Sequence, residues 1–413
     1  MSMRRPGMLA VIGPGLLVAA TGVGAGDLAT AGFTGAMLGP AVAWAVVLGA
    51  VLKYVLTEGL ARWQLATGQT LLEGVGQRIG RWALVLFLLY MIPFSYVVGG
   101  ALISACGITT NSIFPLVADD PQVGKLVYGS IISLIGLAIA WIGGFAIFER
   151  IMAVCIAIMF VAVLVTAVLL EPDWGAVLQG AFVPTIPDAT SEEFTWTLSL
   201  LGGVGGTVTL LCYGYWIHQQ GREGPSWLST CRLDLVIGYV FTGLFGIAML
   251  LIASGANISA TGTNLIVELA AGLVEPLGEW ARWVFLIGAW AAVTSSLLGV
   301  WQAIPMLFTD ALRGACGLPR LDADELVKTT TSRIFLVLLA ILPVIQAWQS
   351  FKEAQKVYAV LGAFFLPLLA IVLLVLNGRK RLVGKGYRNG PVTIGMLLLT
   401  LAIFVIYGWN KLT

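Results

Sequence analysis

A chain of 413 residues that is 59% hydrophobic and 11% charged has too little polar surface to face water on all sides. Its formal net charge of +2 and the lack of a basic cluster beyond short loops give no footprint for nucleic acid. One histidine, His218, excludes a multi-histidine metal cage, and the odd set Cys106, Cys155, Cys212, Cys231 and Cys316, in or beside apolar segments, argues against a disulfide framework or a zinc site. The chain reads as a polytopic membrane protein.

Apolar stretches long enough to span a bilayer fall at about 8–36, 41–63, 82–106, 125–145, 147–170, 197–218, 233–255, 283–307, 333–348, 355–377 and 390–409. None alternates as a strand does, so a β-barrel is excluded. Arg4 and Arg5 before the first stretch imitate a secretory signal. The apolar run continues past any cleavage site and ten more follow, so retention is expected. With the N-terminus inside, seventeen lysines and arginines lie on the cytoplasmic side against five outside. Asp119, Asp120, Asp188, Glu192 and Glu193 are among the acids expected outside.

The first stretch contains Thr21-Gly22-Val23-Gly24-Ala25-Gly26-Asp27-Leu28. As one helix from Met8 to Met37 it would be about 45 Å long, against a hydrocarbon core of about 30 Å. Three alternate glycines weaken a helix interior, and a carboxylate follows them at once. Such a charge costs several kcal/mol unless it faces a cavity or a partner. Interrupted helices of this kind form the midplane sites of secondary transporters. Close packing through small residues, with Asp27 at a water-exposed end, is the alternative.

In the second stretch, Glu58 pairs with Lys53 or reaches cytoplasmic water. Glu149-Arg150 reads as a surface pair at the start of the fifth. The sixth stretch, Leu201-Gly202-Gly203-Val204-Gly205-Gly206-Thr207-Val208-Thr209-Leu210-Leu211-Cys212-Tyr213-Gly214-Tyr215-Trp216-Ile217-His218, is again glycine-rich with a polar and aromatic patch. Gly26 and Gly214 stand 188 residues apart. Two weak helices at matching places in two five-helix halves point to an inverted repeat.

Gly13-Pro14-Gly15, Leu60-Ala61-Arg62, Ala66-Thr67-Gly68, Glu171-Pro172-Asp173-Trp174-Gly175, Thr294-Ser295-Ser296 with Gln302, and Leu366-Pro367 follow one another in an order that resembles the NRAMP family of divalent-metal transporters. The resemblance covers nearly the whole chain. It implies a LeuT-type fold, a site between the breaks of helices 1 and 6, and alternating access. The departures are as informative. The family's helix 1 carries Asp-Pro-Gly-Asn, and Gly24, Ala25, Gly26 and Asp27 align with it. The family's Met-Pro-His of helix 6 has no counterpart; its methionine position is Thr209, Leu210 or Leu211. His218 resembles the second histidine of that helix, and Phe365 replaces a glutamine ahead of the helix 10 proline. Helix 3, acidic in proton-coupled members, reads Tyr90-Met91-Ile92-Pro93-Phe94-Ser95-Tyr96.

One carboxylate and Cys212 make a thin ligand shell for a dehydrated transition metal. Magnesium keeps several waters and often needs one or two carboxylates. Asp27, carbonyls freed at the breaks, and hydroxyls such as Thr21, Thr207 and Thr209 suit a partly hydrated cation. Some relatives in the family that lack the helix 3 acids transport magnesium. A rival uses Tyr213, Tyr215, Trp216 and Phe365 as aromatic faces for an organic cation; these rings otherwise pack between helices.

The expectation is an all-α polytopic membrane protein of LeuT-type fold, with a 5+5 inverted repeat, interrupted helices 1 and 6, and eleven transmembrane helices. Residues 1–413 form a single transport domain, with repeats at about 8–170 and 197–377 and an extra helix at about 390–409. The expected activity is secondary transport of a divalent metal cation, partly hydrated magnesium included, weakly or not proton-coupled; the alternative substrate is a small organic cation or an amino-acid-like molecule. Substrate-binding candidates are Gly24, Ala25, Asp27, Thr209, Leu211, Cys212, Tyr213 and Phe365. Asp27 is the metal ligand and His218 the gate or coupling residue. No catalytic residue, enzyme motif or cofactor is expected. The partners are a small cation and the lipid bilayer, and the protein is expected to be a monomer in the plasma (inner) membrane.

Overall fold

Each expected apolar segment is mainly helical among the residues that the computed structural model describes, 13–116, 120–142, 144–187, 191–255 and 265–412. The opening of the first segment with Arg4 and Arg5, and the acids Asp119 and Asp188, lie outside the described residues. Among the described residues there is no strand, and nine helical stretches are long and apolar enough to cross a membrane. One of the nine, Gly26–Thr67, takes in part of the first expected segment and all of the second, and the last segment supplies a shorter apolar helix, Pro391–Ile406.

The helices are α1 (Gly13–Gly22), α2 (Ala29–Leu38), α3 (Ala43–Thr67), α4 (Leu71–Arg78), α5 (Arg81–Ile113), α6 (Pro121–Ile142), α7 (Gly144–Leu169), α8 (Trp174–Phe182) and α9 (Ser191–Gly203). They continue with α10 (Cys212–Gln219), α11 (Leu228–Gly255), α12 (Leu265–Gly272), α13 (Glu279–Cys316), α14 (Thr330–Ile341), α15 (Phe351–Ala363), α16 (Phe365–Gly378) and α17 (Pro391–Leu412). Between α1 and α2 runs a six-residue π-helical segment, Val23–Leu28. Between α9 and α10 the chain leaves the helix at Val204–Thr207 and re-enters through a tight turn, Val208–Leu211.

Helix α13 is the spine. It packs against α5, α7, α1 and the π-helical segment, and α11 packs against α1, α2 and α3. These inner faces are rich in alanine, glycine and serine, which lets helix backbones approach closely where no hydrophobic gain separates protein from lipid. The outer faces of α5, α6 and α7 expose Leu89, Ile131 and Val161, as a lipid-facing surface requires.

The two weak helices break differently. At Val204–Thr207, Gly205 and Gly206 take φ of 73° and 85°, a left-handed conformation that other residues adopt only with strain. This places the second break ahead of Gly214, the expected partner of Gly26. Gly214 lies inside α10, where a Cβ would meet Gln64 Oε1. A lone glycine can stay helical; the adjacent pair releases the chain. The first break is not unwound. It widens into a π turn, in which Gly24 N–H donates to Ser296 Oγ at 2.7 Å and Ser296 Oγ donates to Ala20 O at 3.0 Å. A serine from α13 thus takes up backbone groups that the wider turn frees.

Candidate substrate site

The two breaks touch. A Cβ on Gly22 would lie 2.1 Å from Gly206 N, so only glycine permits this approach. Asp27, at the end of the π-helical segment, is fully buried. Its carboxylate accepts the Gly205 N–H, at 3.2 Å to Oδ1 and 3.3 Å to Oδ2. The freed backbone of the second break therefore faces the one acid of the first. Tyr239 and Tyr358 complete the surroundings. Tyr239 Cε1 would lie 2.9 Å from a Cβ on Gly205, and Tyr358 Oη 4.0 Å from one on Gly26.

The second charge at the breaks comes from α3. Lys53 is fully buried, and its Nζ donates to Gly202 O at 2.9 Å, to Val204 O at 2.8 Å, and to Gly206 O. Of the two expectations for Glu58, pairing with Lys53 or reaching cytoplasmic water, the pairing is not made. Glu58 binds Arg62 at 3.2 Å and Arg232 at 2.8 Å. Guanidinium groups near the end of the bundle take the carboxylate because Lys53 sits one turn deeper on α3 and is held by the break. Glu149 likewise accepts from Gln220 Nε2 at 2.7 Å, joining α7 to the end of α10.

The remaining candidates separate into groups. Gly24 and Ala25 share the π-helical segment with Asp27. Thr209 is buried with its hydroxyl against Gly206. Leu211 and Phe365 line a cavity of about 370 Å³ with Tyr90, Leu86 and Trp82, the last two exposed at the outer surface. Phe365 stacks on Tyr90 at 6.2 Å between ring centroids. Cys212 is buried at the start of α10.

Tyr213 Oη donates to Asp234 Oδ2 at 3.0 Å, and Asp234 also accepts from Gly15 N–H and from Arg222 Nη1 at 3.0 Å. This buried knot ties the start of α1 to the segment after α10 and to α11. It lies at the end of the bundle at which α1 begins. His218 stands at that end with its side chain 30% exposed, 3.2 Å from Glu223 and 3.7 Å from Asp322. It belongs to a surface cluster, away from Asp27.

Sequence reasoning did not single out Lys53, Ser296, Tyr239, Tyr358 or Asp234 as parts of this arrangement. A lysine in the middle of an apolar stretch was the strongest signal left unused.

Comparison with known proteins gives this arrangement its lineage. Residues 15–412 match the family described as natural resistance-associated macrophage protein-like, Nramp. The chain belongs to the Nramp family. Among its relatives is a divalent metal cation transporter MntH of Aeromonas hydrophila, 24% identical over 426 residues, covering 96% of this chain and 94% of the relative. Another MntH, from Verminephrobacter eiseniae, is 25% identical over 310 residues, covering 71% of this chain and 66% of that protein. The crystal structure of the Eremococcus coleocola manganese transporter in complex with an aromatic bis-isothiourea substituted compound superposes with a TM-score of 0.76 at 18% identity, covering 98% of this chain and 87% of that one. The Nramp chain thus has the expected LeuT-type transporter fold, and the relatives named here are transporters, not enzymes.

Proposed function

We propose that this Nramp-family chain is a secondary carrier that moves a divalent metal cation across the plasma membrane by alternating access. The N-terminus is inside, and residues 1–413 act as one transport domain. The observation that supports this reading is Asp27, a fully buried carboxylate where the two breaks meet. The Gly205 N–H donates to it, and the carboxylate has further lone pairs with which to coordinate a cation.

The donor set favours a cation that keeps part of its hydration. Among the described residues no three histidine, cysteine, aspartate or glutamate side chains come together in a way that could hold a metal ion. One carboxylate with backbone carbonyls and the hydroxyls of Thr207 and Thr209 suits magnesium better than a stripped transition metal. Transport is weakly coupled to protons or uncoupled, because α5 carries no acid between Tyr90 and Tyr96 and His218 sits in the surface cluster.

A small organic cation or amino-acid-like substrate is the second reading. Tyr239 and Tyr358 beside Asp27 favour it, since a ring face next to a carboxylate attracts an organic ammonium. The test is ligand-dependent thermal stabilisation of the purified protein. Magnesium or manganese chloride should raise the melting temperature of the wild type and not of Asp27→Asn. Stabilisation by an organic amine, with none by any divalent cation, would replace the first reading with the second.

A further inference from the structure

Lys53 takes no part in the site as a ligand, yet it occupies the place where a cation would be held. An ammonium has three N–H donors. Here they meet the carbonyls of Gly202, Val204 and Gly206, all from the second break. Those oxygens lie at the C-terminal end of α9, where the helix dipole is negative. Three converging carbonyls at the end of an interrupted helix make a cation site in secondary carriers. In this protein the cation is a side chain.

The same stretch of backbone serves Asp27. Gly205 N–H turns to the carboxylate, while the carbonyls on either side of it, from Val204 and Gly206, turn to the ammonium. The two charges therefore clamp one three-residue segment from opposite sides. A divalent cation that binds Asp27 and turns the carbonyls of this segment toward itself takes them from Lys53. Leaving the ammonium in place would also bury three positive charges against one negative one, which a low-dielectric interior strongly opposes. A structural role as a helix cap alone would not require the lysine to share its segment with the site's one acid.

We propose that Lys53 is a tethered cation that fills the carbonyl half of the substrate site and leaves it when the substrate cation binds, so that it sets the affinity and selectivity of transport. This rests on the divalent-carrier reading above. It makes binding a replacement of one cation by another. Monovalent inorganic cations, which offer no extra charge for Asp27, are disfavoured as competitors.

The experiment is titration of detergent-purified wild type, Lys53→Met and Asp27→Asn/Lys53→Met with magnesium and manganese chloride, read by thermal shift. Lys53→Met should bind at least about tenfold more tightly than the wild type, and the double variant should lose that gain. Equal or weaker binding by a folded Lys53→Met would overturn the proposal and leave the carrier reading standing. Binding by Lys53→Met alone would overturn both divalent carriage by the wild type and displacement of Lys53 by the substrate. No divalent binding by either protein would overturn both.

Removing a fully buried lysine leaves three carbonyls without donors and can unfold the chain, so a measurement on the wild type accompanies the titration. Lys53 is acylated with a small amine-reactive reagent and quantified by mass spectrometry. It should be protected in cation-free protein and react several-fold faster at saturating magnesium. Unchanged protection at a magnesium concentration that stabilises the protein would overturn the proposal.

Discussion

The two breaks solve the same problem with different chemistry. In the first, the helix stays wound. The π turn of Val23–Leu28 borrows Ser296 from α13 for the backbone groups it frees, and presents one carboxylate. In the second, the helix comes apart at Val204–Thr207 and presents backbone, with the N–H of Gly205 toward Asp27 and three carbonyls toward Lys53. The first break is wound and carries charge; the second is open and carries dipoles. On the proposed reading, a site assembled this way would need few polar side chains, because the unwound backbone would supply most of the oxygens. That explains how a chain without the family's usual metal-binding motifs retains a polar centre.

If the first break supplies the charge, Asp27→Asn should abolish specific uptake in proteoliposomes at sub-saturating cation while the protein still folds. Losing one charge-assisted contact costs about 1.5–3 kcal/mol, roughly ten- to a hundredfold in affinity. Undiminished uptake would erase the distinction between the breaks. If the second break depends on its backbone, Gly206→Ala should lose most transport and also stability. The left-handed conformation costs an alanine about 1–2 kcal/mol, and the added Cβ approaches Thr209 Oγ1 at 2.9 Å and Gly22 Cα at 3.3 Å. Gly214→Ala should be much milder, since its Cβ meets only side-chain atoms of Gln64 and Leu60, which can shift. Equal damage at both positions, measured by thermal melting and uptake, would move the break to where the glycine spacing alone puts it.

Ser296→Ala sharpens the first half of the comparison. It leaves the buried Gly24 N–H without its acceptor, at a cost of about 1–3 kcal/mol, and should lower stability more than it lowers cation affinity. A loss of affinity at full stability would make Ser296 a ligand instead. The smallest effect is expected at the surface cluster. With a pH-sensitive dye in the lumen and the membrane potential fixed, His218→Ala should leave cation uptake and lumenal pH as in the wild type. Substrate-dependent acidification that vanishes in this variant would make His218 the coupling residue.

The helical segments and both weak points were legible in the sequence, because glycine enrichment and apolar length are local properties. Asp27 was legible for the same reason: a lone acid in an apolar run needs a partner. The register of the second break was not. Gly214 matched Gly26 by spacing, but which glycines release the chain depends on whether neighbours leave room for a helix there. Gly205 and Gly206 lie against Gly22 and Tyr239, and Gly214 against α3. The partners of Lys53 were also out of reach. Glu58 is nearer in sequence, while the carbonyls it binds come from about 150 residues away and become acceptors only once α9 opens. Asp234, Arg222 and Tyr213 look unrelated in the chain and are joined only when α1, α10 and α11 converge.

The most direct test of the central claim is to locate a bound cation. Crystals grown with manganese, as an anomalous scatterer standing in for the substrate, should show one strong peak where the breaks meet, between the Asp27 carboxylate and the carbonyls of Gly202, Val204 and Gly206. Lys53 should be withdrawn from those carbonyls. A peak bonded to Cys212, or none near Asp27 under conditions where manganese stabilises the protein in solution, would contradict a site built from one carboxylate and an opened helix.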